Sequence, residues 1–575
     1  MISIVAIAVV LVASSAVGAL SLRYSRTTSD FLVASRTVSP RLNAVAICGE
    51  YLSAGTFLGL AGLVMVVGPD MLWYPVGFTA GYVALLVLVA APLRRFGSYT
   101  IPEFAQGRLG SRRLRKLCAV FVLLISTLYL LPQMKGAGIS LKALTGAPYW
   151  VGVAIVSVVV GGNVAIGGMR GVTVVQAMQY GIKLGALAIA AITLWIVTGV
   201  SDGPPVFGDA TPTVVRTERF DLNDDAVLKL TQTVQATARG VVDGRVVNGS
   251  VVLGPGTHRL DAGSVISLPS GTPVPVIGSG YSSGPDWYRP FVRSESRPHP
   301  LYLSISIIVG TVLGTMGLPH IVTRFYTNPD GRAARRTIGV VIALLGLYYV
   351  WPVVLGVLGR RWAPELLSTG GTDAVVLLLP EKVLGETLGA RLLTGLLAGG
   401  AFAAFLSTSS GLLVAVAGAL SHDVFGDGSP GGGVRRFRIS AAGGAVAVGL
   451  LGLEVERFQI NVLVGWAFAI AASSFCPMLV LGVWWPRFTA AGAVSGLLIG
   501  GGSAVIAVGL TMAGVPSSRG WLAALCSQPA AWSVPLGFGA SVAGSLLTAS
   551  TIPRSTSALL ARMHTPERAE DTMYT

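Results

Sequence analysis

Apolar stretches and short polar connections alternate along almost the whole chain. Thirteen stretches have the length and character of membrane spans, at 2–20, 42–67, 71–93, 117–133, 149–166, 172–200, 301–319, 337–358, 392–420, 439–453, 458–483, 490–513 and 531–551. A helix crossing a bilayer core needs about 20 mostly apolar residues, and backbone inside lipid must satisfy its own hydrogen bonds. The pattern predicts an all-α polytopic membrane protein with about 13 transmembrane helices.

The connections orient it. With the N-terminus outside, every inner loop is basic: Arg23, Arg26, Arg36 and Arg41, then Arg94, Arg95, Arg108, Arg112, Arg113, Arg115 and Lys116. Arg170 follows, then Arg324, Arg332, Arg335 and Arg336, then Arg435, Arg436 and Arg438, then Arg487, with Arg554, Arg562 and Arg568 in the tail. The short outer connections hold few basic residues, as the positive-inside rule requires. The expected location is a bacterial plasma membrane, with the C-terminus cytoplasmic. Stretch 2–20 has no basic residue ahead of it and Arg23 and Arg26 behind it, so it reads as a retained span and not a signal peptide.

Two outer segments depart from the rhythm. Across 201–300 hydropathy collapses, and VVDGRVVNGSVVLGPGTHRLDAGSVISLPSGTPVPVI alternates β-branched residues with turn formers, which predicts short strands in a small hairpin-rich insertion. Segment 363–389 has an apolar part too short to span and is expected to cap the outer face as a surface or re-entrant helix. The chain divides into 1–200 (six spans), 201–300 (the extracellular insertion), 301–551 (seven spans) and 552–575 (a cytoplasmic tail).

Against this background, one apolar stretch carries the wrong residues for a lipid-facing helix. Glu50 lies in the second span beside Gly49, Tyr51, Ser53, Gly55 and Thr56. It is nine residues beyond Arg41, about 13 Å at 1.5 Å per residue, which is near the middle of a core about 30 Å thick. A carboxylate there marks an ion or substrate path, and the flanking glycines favour a break in the helix. Ser407 and Thr408 lie about fourteen residues before the inner end of the ninth span at His422, roughly 21 Å by the same rise and so at a similar depth. Hydroxyls of this kind commonly bond back to their own helix. Paired with carbonyls freed by a break, they also supply hard oxygens for a small cation. Lys135 is expected to snorkel at the outer interface.

Composition narrows the function classes. The chain of 575 residues is 52% hydrophobic and only 12% charged, against about 25% charged in soluble proteins. Its net charge of +15 is distributed among loops, which reads as topology and not as a nucleic-acid surface. Cys48, Cys118, Cys476 and Cys526 fall singly, with no metal spacing. His258, His299, His320, His422 and His564 are scattered, and there is no P-loop, HExxH motif or nucleophile elbow. No enzyme, no bound cofactor and no nucleic-acid partner is expected.

Several blocks in one order resemble the sodium:solute symporters. These are DFLVASRTVSP, GEYLSAGTFLGLAG, GGMRGVTVVQAMQ, GLPHIVTRFYT and FLSTSSGLLVAVAGALSHDVF. The resemblance covers nearly all of the chain outside 201–300, and the wording is most similar to the cation/acetate branch. It implies a LeuT-type five-plus-five inverted repeat, with spans two to six and seven to eleven as the repeats and the first helix of each broken. It further implies a cation site at Gly49, Leu52, Ala404, Ser407 and Thr408, and substrate contacts at Tyr51, Ser53, Thr56 and Gln133. Glu50 is the candidate coupling group. Many relatives have Thr-Asp where this chain has Val175 and Gln176, which removes an acidic ion-exit step at that position.

The expected function is cation-coupled uptake of a short monocarboxylate such as acetate, propionate or pyruvate, with Na+ as the transported ion and H+ open. The partners are a small carboxylate and the lipid bilayer; oligomeric state is not readable. The alternatives are a symporter for an amino acid or vitamin, and a nutrient sensor on the same fold. The short tail after Thr551 argues against the sensor.

Overall fold

The protein is described as a computed structural model over residues 1–20, 38–200, 211–222, 225–277, 284–292, 298–425, 433–515 and 520–566. Arg23, Arg26, Arg36, Arg568 and the block 30–37 lie outside the described residues. Within them, twelve helices are long and apolar enough to span, and the bent pair Pro40–Tyr51 and Gly55–Val67 makes thirteen. The chain is a multi-pass membrane protein.

In order, the spans are Ile2–Leu20, the bent pair, Pro69–Leu88, Arg112–Thr145, Tyr149–Met169, Gly171–Gly199, Pro300–Tyr326, Gly331–Trp362, Leu388–Val424, Gly433–Val455, Ile460–Trp484, Ala490–Met512 and Ala530–Leu547. The fourth is much longer than its apolar stretch. Ser111 caps its start by accepting from the Leu114 amide, and Gly146 ends it at a φ of 71°, so polar turns extend it past the lipid at both ends. The fifth and sixth join without a loop at Gly168, whose φ of 55° and ψ of −160° turn the chain sharply. The ninth and eleventh form the centre, each 94% buried over its apolar window, whereas the first is 22% buried and lies at the periphery.

Both broken helices have local causes. The second span stops at Leu52, whose ψ is 92°, and resumes as a π-helical turn at Gly55–Gly59. Side chains at its glycines would collide with neighbours: a Cβ on Gly49 would lie 2.2 Å from the Gln176 carbonyl oxygen, and one on Gly55 2.7 Å from Asn461 Oδ1. The seventh span divides at Leu318, which is extended with a ψ of 117° between Pro300–Gly317 and Pro319–Tyr326. A residue before proline is pushed out of the α region, and Pro319 has no N–H to continue the ladder. Each set of five spans therefore opens on a broken helix.

The insertion forms a single antiparallel sheet. Its strands are β1 (Glu218–Asp221), β2 (Ala226–Leu230), β3 (Val234–Val242), β4 (Arg245–Leu253), β5 (Gly256–Leu260), β6 (Val265–Leu268) and β7 (Val276–Ile277). They are ordered β1-β6-β3-β5-β2-β7, with β4 on β3. The β3–β4 hairpin turns at Asp243 and Gly244, both at positive φ (51° and 73°), as a tight two-residue turn between right-twisted strands needs. The sheet is docked onto one face of the bundle. Trp287 Nε1 donates to the Val64 carbonyl at 2.9 Å, and the Arg360 guanidinium lies over the Trp287 ring at 4.7 Å. Lys382 bridges Glu218 at 2.5 Å and Glu365 at 2.7 Å. Segment 363–389 holds the helix Val375–Leu384, whose Val375, Val376, Leu377 and Leu379 are buried, so it sinks into the bundle on this side.

Three basic residues differ from expectation. Lys135 is buried and pairs with Asp373 at 3.3 Å while donating to the Phe458 carbonyl, so it does not snorkel. Arg108 is buried, donating to the carbonyls of Gly482 and Trp485 and to Thr556. Arg324 is not a loop charge: it is fully buried in the second half of the seventh span. In each case tertiary packing supplied acceptors that local sequence does not reveal.

Candidate cation and substrate site

The break in the second span leaves backbone groups without helical partners, and the sixth and ninth spans use them. Thr408 Oγ1 donates to the Glu50 carbonyl at 2.5 Å, and Ser407 Oγ donates to the Ala404 carbonyl at 3.0 Å. Lys183 Nζ, from the sixth span, donates to the carbonyls of Gly49 and Leu52 and to Ser407 Oγ, the last at 3.1 Å. Gly49, Leu52, Ala404, Ser407 and Thr408 are thus drawn into one hydrogen-bonded cluster, with the Lys183 ammonium bonded to three of the five. Lys183 is fully buried.

Sequence reasoning missed Lys183. A signal was present: it stands alone in an apolar span, 12 residues past the Gly171 that opens it, roughly 18 Å into the membrane.

Glu50 is held on the other side of its helix. Its carboxylate is paired with the Arg324 guanidinium, and both side chains are fully buried. Arg324 also donates to Thr173 Oγ1 at 2.8 Å and to the Gln176 side-chain oxygen, while Gln176 Nε2 donates to the Ser407 carbonyl at 2.7 Å. The Gln176 side chain therefore bridges the ion pair to the ninth span.

The four substrate candidates line the same break. Gln133 Oε1 accepts the Ala54 amide at 2.9 Å, and its Nε2 donates to the Tyr129 carbonyl. Ser53 Oγ accepts the Gly55 amide at 3.2 Å, and Thr56 Oγ1 donates to the Ser53 carbonyl at 2.9 Å. The Tyr51 hydroxyl shares a 2.9 Å hydrogen bond with Thr315 of the seventh span. Its ring packs edge-on against Phe78, Tyr82 and Phe468. Ser53, Thr56 and Gln133 thus stabilise the broken helix through its own backbone.

The second break faces the same turn of the fourth span. His320 begins the helical half Pro319–Tyr326, and its ring centroid lies 5.4 Å from that of Tyr129, one turn from Gln133. Neither ring nitrogen of His320 has a hydrogen-bond partner among the described residues, although the side chain is fully buried. This is a second residue the sequence reading left among scattered histidines. A cavity is lined by Pro319, Thr323, Met169, Val414, Thr100 and Asp423. In its wall Asp423 accepts from Arg115 Nε at 2.9 Å and Thr100 Oγ1 at 3.2 Å. Among the described residues no cluster of three or more His, Cys, Asp or Glu could hold a metal.

The family model described as sodium:solute symporter matches residues 31–255 and 294–500. The chain belongs to the sodium:solute symporter family. Family membership carries the general activity, ion-coupled movement of a solute through a membrane. This symporter is 28% identical over 535 residues to an uncharacterized symporter, YwcA, of Bacillus subtilis, covering 91% of this chain and 90% of that one. It is 28% identical over 553 residues to a monocarboxylic acid transporter of Corynebacterium glutamicum, covering 92% and 88%. A solved Na+-coupled sialic acid symporter in a substrate-bound outward-open state shares its fold at a TM-score of 0.63 and 14% identity, over 96% of this chain and 98% of that one.

Proposed function

We propose that this symporter takes up a short monocarboxylate such as acetate, propionate or pyruvate, coupled to inward movement of a cation, Na+ or H+. In this reading the sheet lies outside the cell, the membrane is a bacterial plasma membrane, and the two repeats rock about the breaks for alternating access. The observation that carries it is the meeting of both helix breaks on one turn of the fourth span, Ala54 on Gln133 and His320 beside Tyr129. A helix N-terminus favours an anion, and the unpartnered His320 ring beside it is a donor for a carboxylate. The rings of Tyr51, Phe78 and Phe468 pack against one another beside the break, an apolar surface compatible with a small acyl group. The C. glutamicum relative, described as a monocarboxylic acid transporter, supports the substrate class.

Uptake of radiolabelled acetate into proteoliposomes, with and without a sodium gradient and at two external pH values, tests it. Gradient-stimulated uptake inhibited by propionate and pyruvate is expected. No stimulation under any gradient overturns the proposal, and inhibition by an amino acid in place of the acids reassigns the solute.

A further inference from the structure

The five residues of the expected cation site are gathered, yet their geometry does not suit a free sodium ion. A sodium needs several oxygen lone pairs directed at one empty point. Here the carbonyls of Gly49 and Leu52 and the hydroxyl of Ser407 all point at Lys183 Nζ. An ammonium has three N–H donors and no acceptor, so these three oxygens satisfy it completely. The other two oxygens lie within the same network and do not contact Lys183: Ala404 O accepts from Ser407 Oγ, and Thr408 Oγ1 donates to Glu50 O. A buried lysine with no such partners is among the costliest groups in a membrane, so the cluster and the lysine require each other.

Charge leads to the same conclusion. The ionisable groups around Lys183 are Glu50, Cys48 and, beyond Glu50, Arg324. The single carboxylate is already paired with Arg324, so no spare anion faces Lys183. A sodium ion among the same oxygens would sit against an ammonium with nothing to offset the repulsion.

We propose that the Lys183 ammonium is a tethered cation that replaces sodium at Gly49, Leu52 and Ser407. It joins the second, sixth and ninth spans as a bound ion would, and no sodium is taken up at this position. The inference deepens the proposed function and rests on its reading of this cluster as the coupling-cation site.

Equilibrium binding of radiosodium to the purified full chain in nanodiscs, without substrate, tests it. Wild type and Ser407→Ala should bind sodium equally, since Ser407 is not a sodium ligand. Lys183→Ala should gain a saturable sodium site that the second substitution Ser407→Ala removes. A loss of about tenfold or more in sodium affinity on Ser407→Ala alone, or a monodisperse Lys183→Ala that binds sodium just as wild type does, overturns the proposal. Should Lys183→Ala not fold, the comparison of wild type with Ser407→Ala still decides. Because no solute is present, a failure of acetate uptake leaves this result standing, and the reverse holds too.

Discussion

Thr408 Oγ1 donates to the backbone carbonyl of Glu50 at 2.5 Å, across 358 positions of sequence. A side chain of the ninth span thereby takes up a carbonyl in the last turn of a helix that stops two residues later. Such carbonyls lack helical partners, and in lipid no water replaces them. Replacing Thr408 by Val keeps the shape and removes the donor. The expected loss is about 1 kcal/mol of stability, read as a lower melting temperature in detergent, with Thr408→Ser close to wild type. Equal melting of Thr408→Val and wild type would show the bond to be dispensable.

Glu50 and Arg324 form a fully buried ion pair, and removing one partner of such a pair leaves an uncompensated charge, at about 3–5 kcal/mol. Glu50→Gln should therefore lower folded yield sharply, and Glu50→Gln with Arg324→Gln should recover part of it, a non-additivity that a double-mutant cycle measures. A Glu50→Gln protein of normal yield with an altered pH profile of uptake would instead make Glu50 the coupling group.

Gly411 lies against the same carboxylate. A Cβ at this position would be 1.8 Å from Glu50 Oε1 and 2.1 Å from its carboxyl carbon. Gly411→Ala must displace the Glu50 carboxylate, which is paired with Arg324, and both side chains are fully buried. Overpacking of this kind costs about 1–3 kcal/mol. Gly162→Ala, where no neighbour lies within 4 Å, is the matched control and should be neutral. Equal thermal stability of the two variants would contradict the packing at Glu50.

His258 in the sheet faces two acceptors at once, Asp243 Oδ2 and the Gly254 carbonyl, each at 2.7 Å from a ring nitrogen. Only the doubly protonated ring donates to both. Partial burial opposes the charge, but the bonds to Asp243 and Gly254 outweigh it and hold the pKa above the ordinary histidine value. A raised folded pKa stabilises the hairpin fully below the unfolded value, about 6.5, and the stabilisation is lost as pH rises through the folded value. Amide exchange across β4 and β5 should accelerate beyond its intrinsic pH trend as pH rises above the ordinary histidine value of about 6.5, and His258→Gln should abolish that excess.

Trp287, in the turn Gly284–Trp287 of the insertion, fastens that segment to the bundle. It is 3% exposed, bonded to the Val64 carbonyl and covered by Arg360. Trp287→Ala should destabilise the contact by about 3–5 kcal/mol, seen as faster exchange at 284–292 with exchange in the eleventh span unchanged. Unchanged exchange at 284–292 would mean that Trp287 does not anchor this segment.

The number of spans, the β-rich insertion and the break beside Glu50 are legible in the sequence, because each follows from local composition. Apolar length alone specifies a membrane helix, alternation of β-branched residues with turn formers specifies short strands, and the glycines flanking Glu50 favour a break, whereas the break at Leu318 before Pro319 is seen in the structure. The depth of Glu50 and of Ser407 and Thr408 also follows from counting residues at a fixed helical rise. What a buried charge is paired with depends on contacts between distant segments, and only the tertiary structure decided it. Arg324, beside a loop in the sequence, folds back to Glu50; Lys135 reaches Asp373; Lys183 fills the cluster around Gly49, Leu52 and Ser407. The physical reason is that a helical sequence determines the depth and face of each side chain, whereas a charge in lipid is stabilised by oxygens from other helices. Those helices lie more than a hundred residues away for Lys183 and Glu50, and no local pattern encodes which of them will meet.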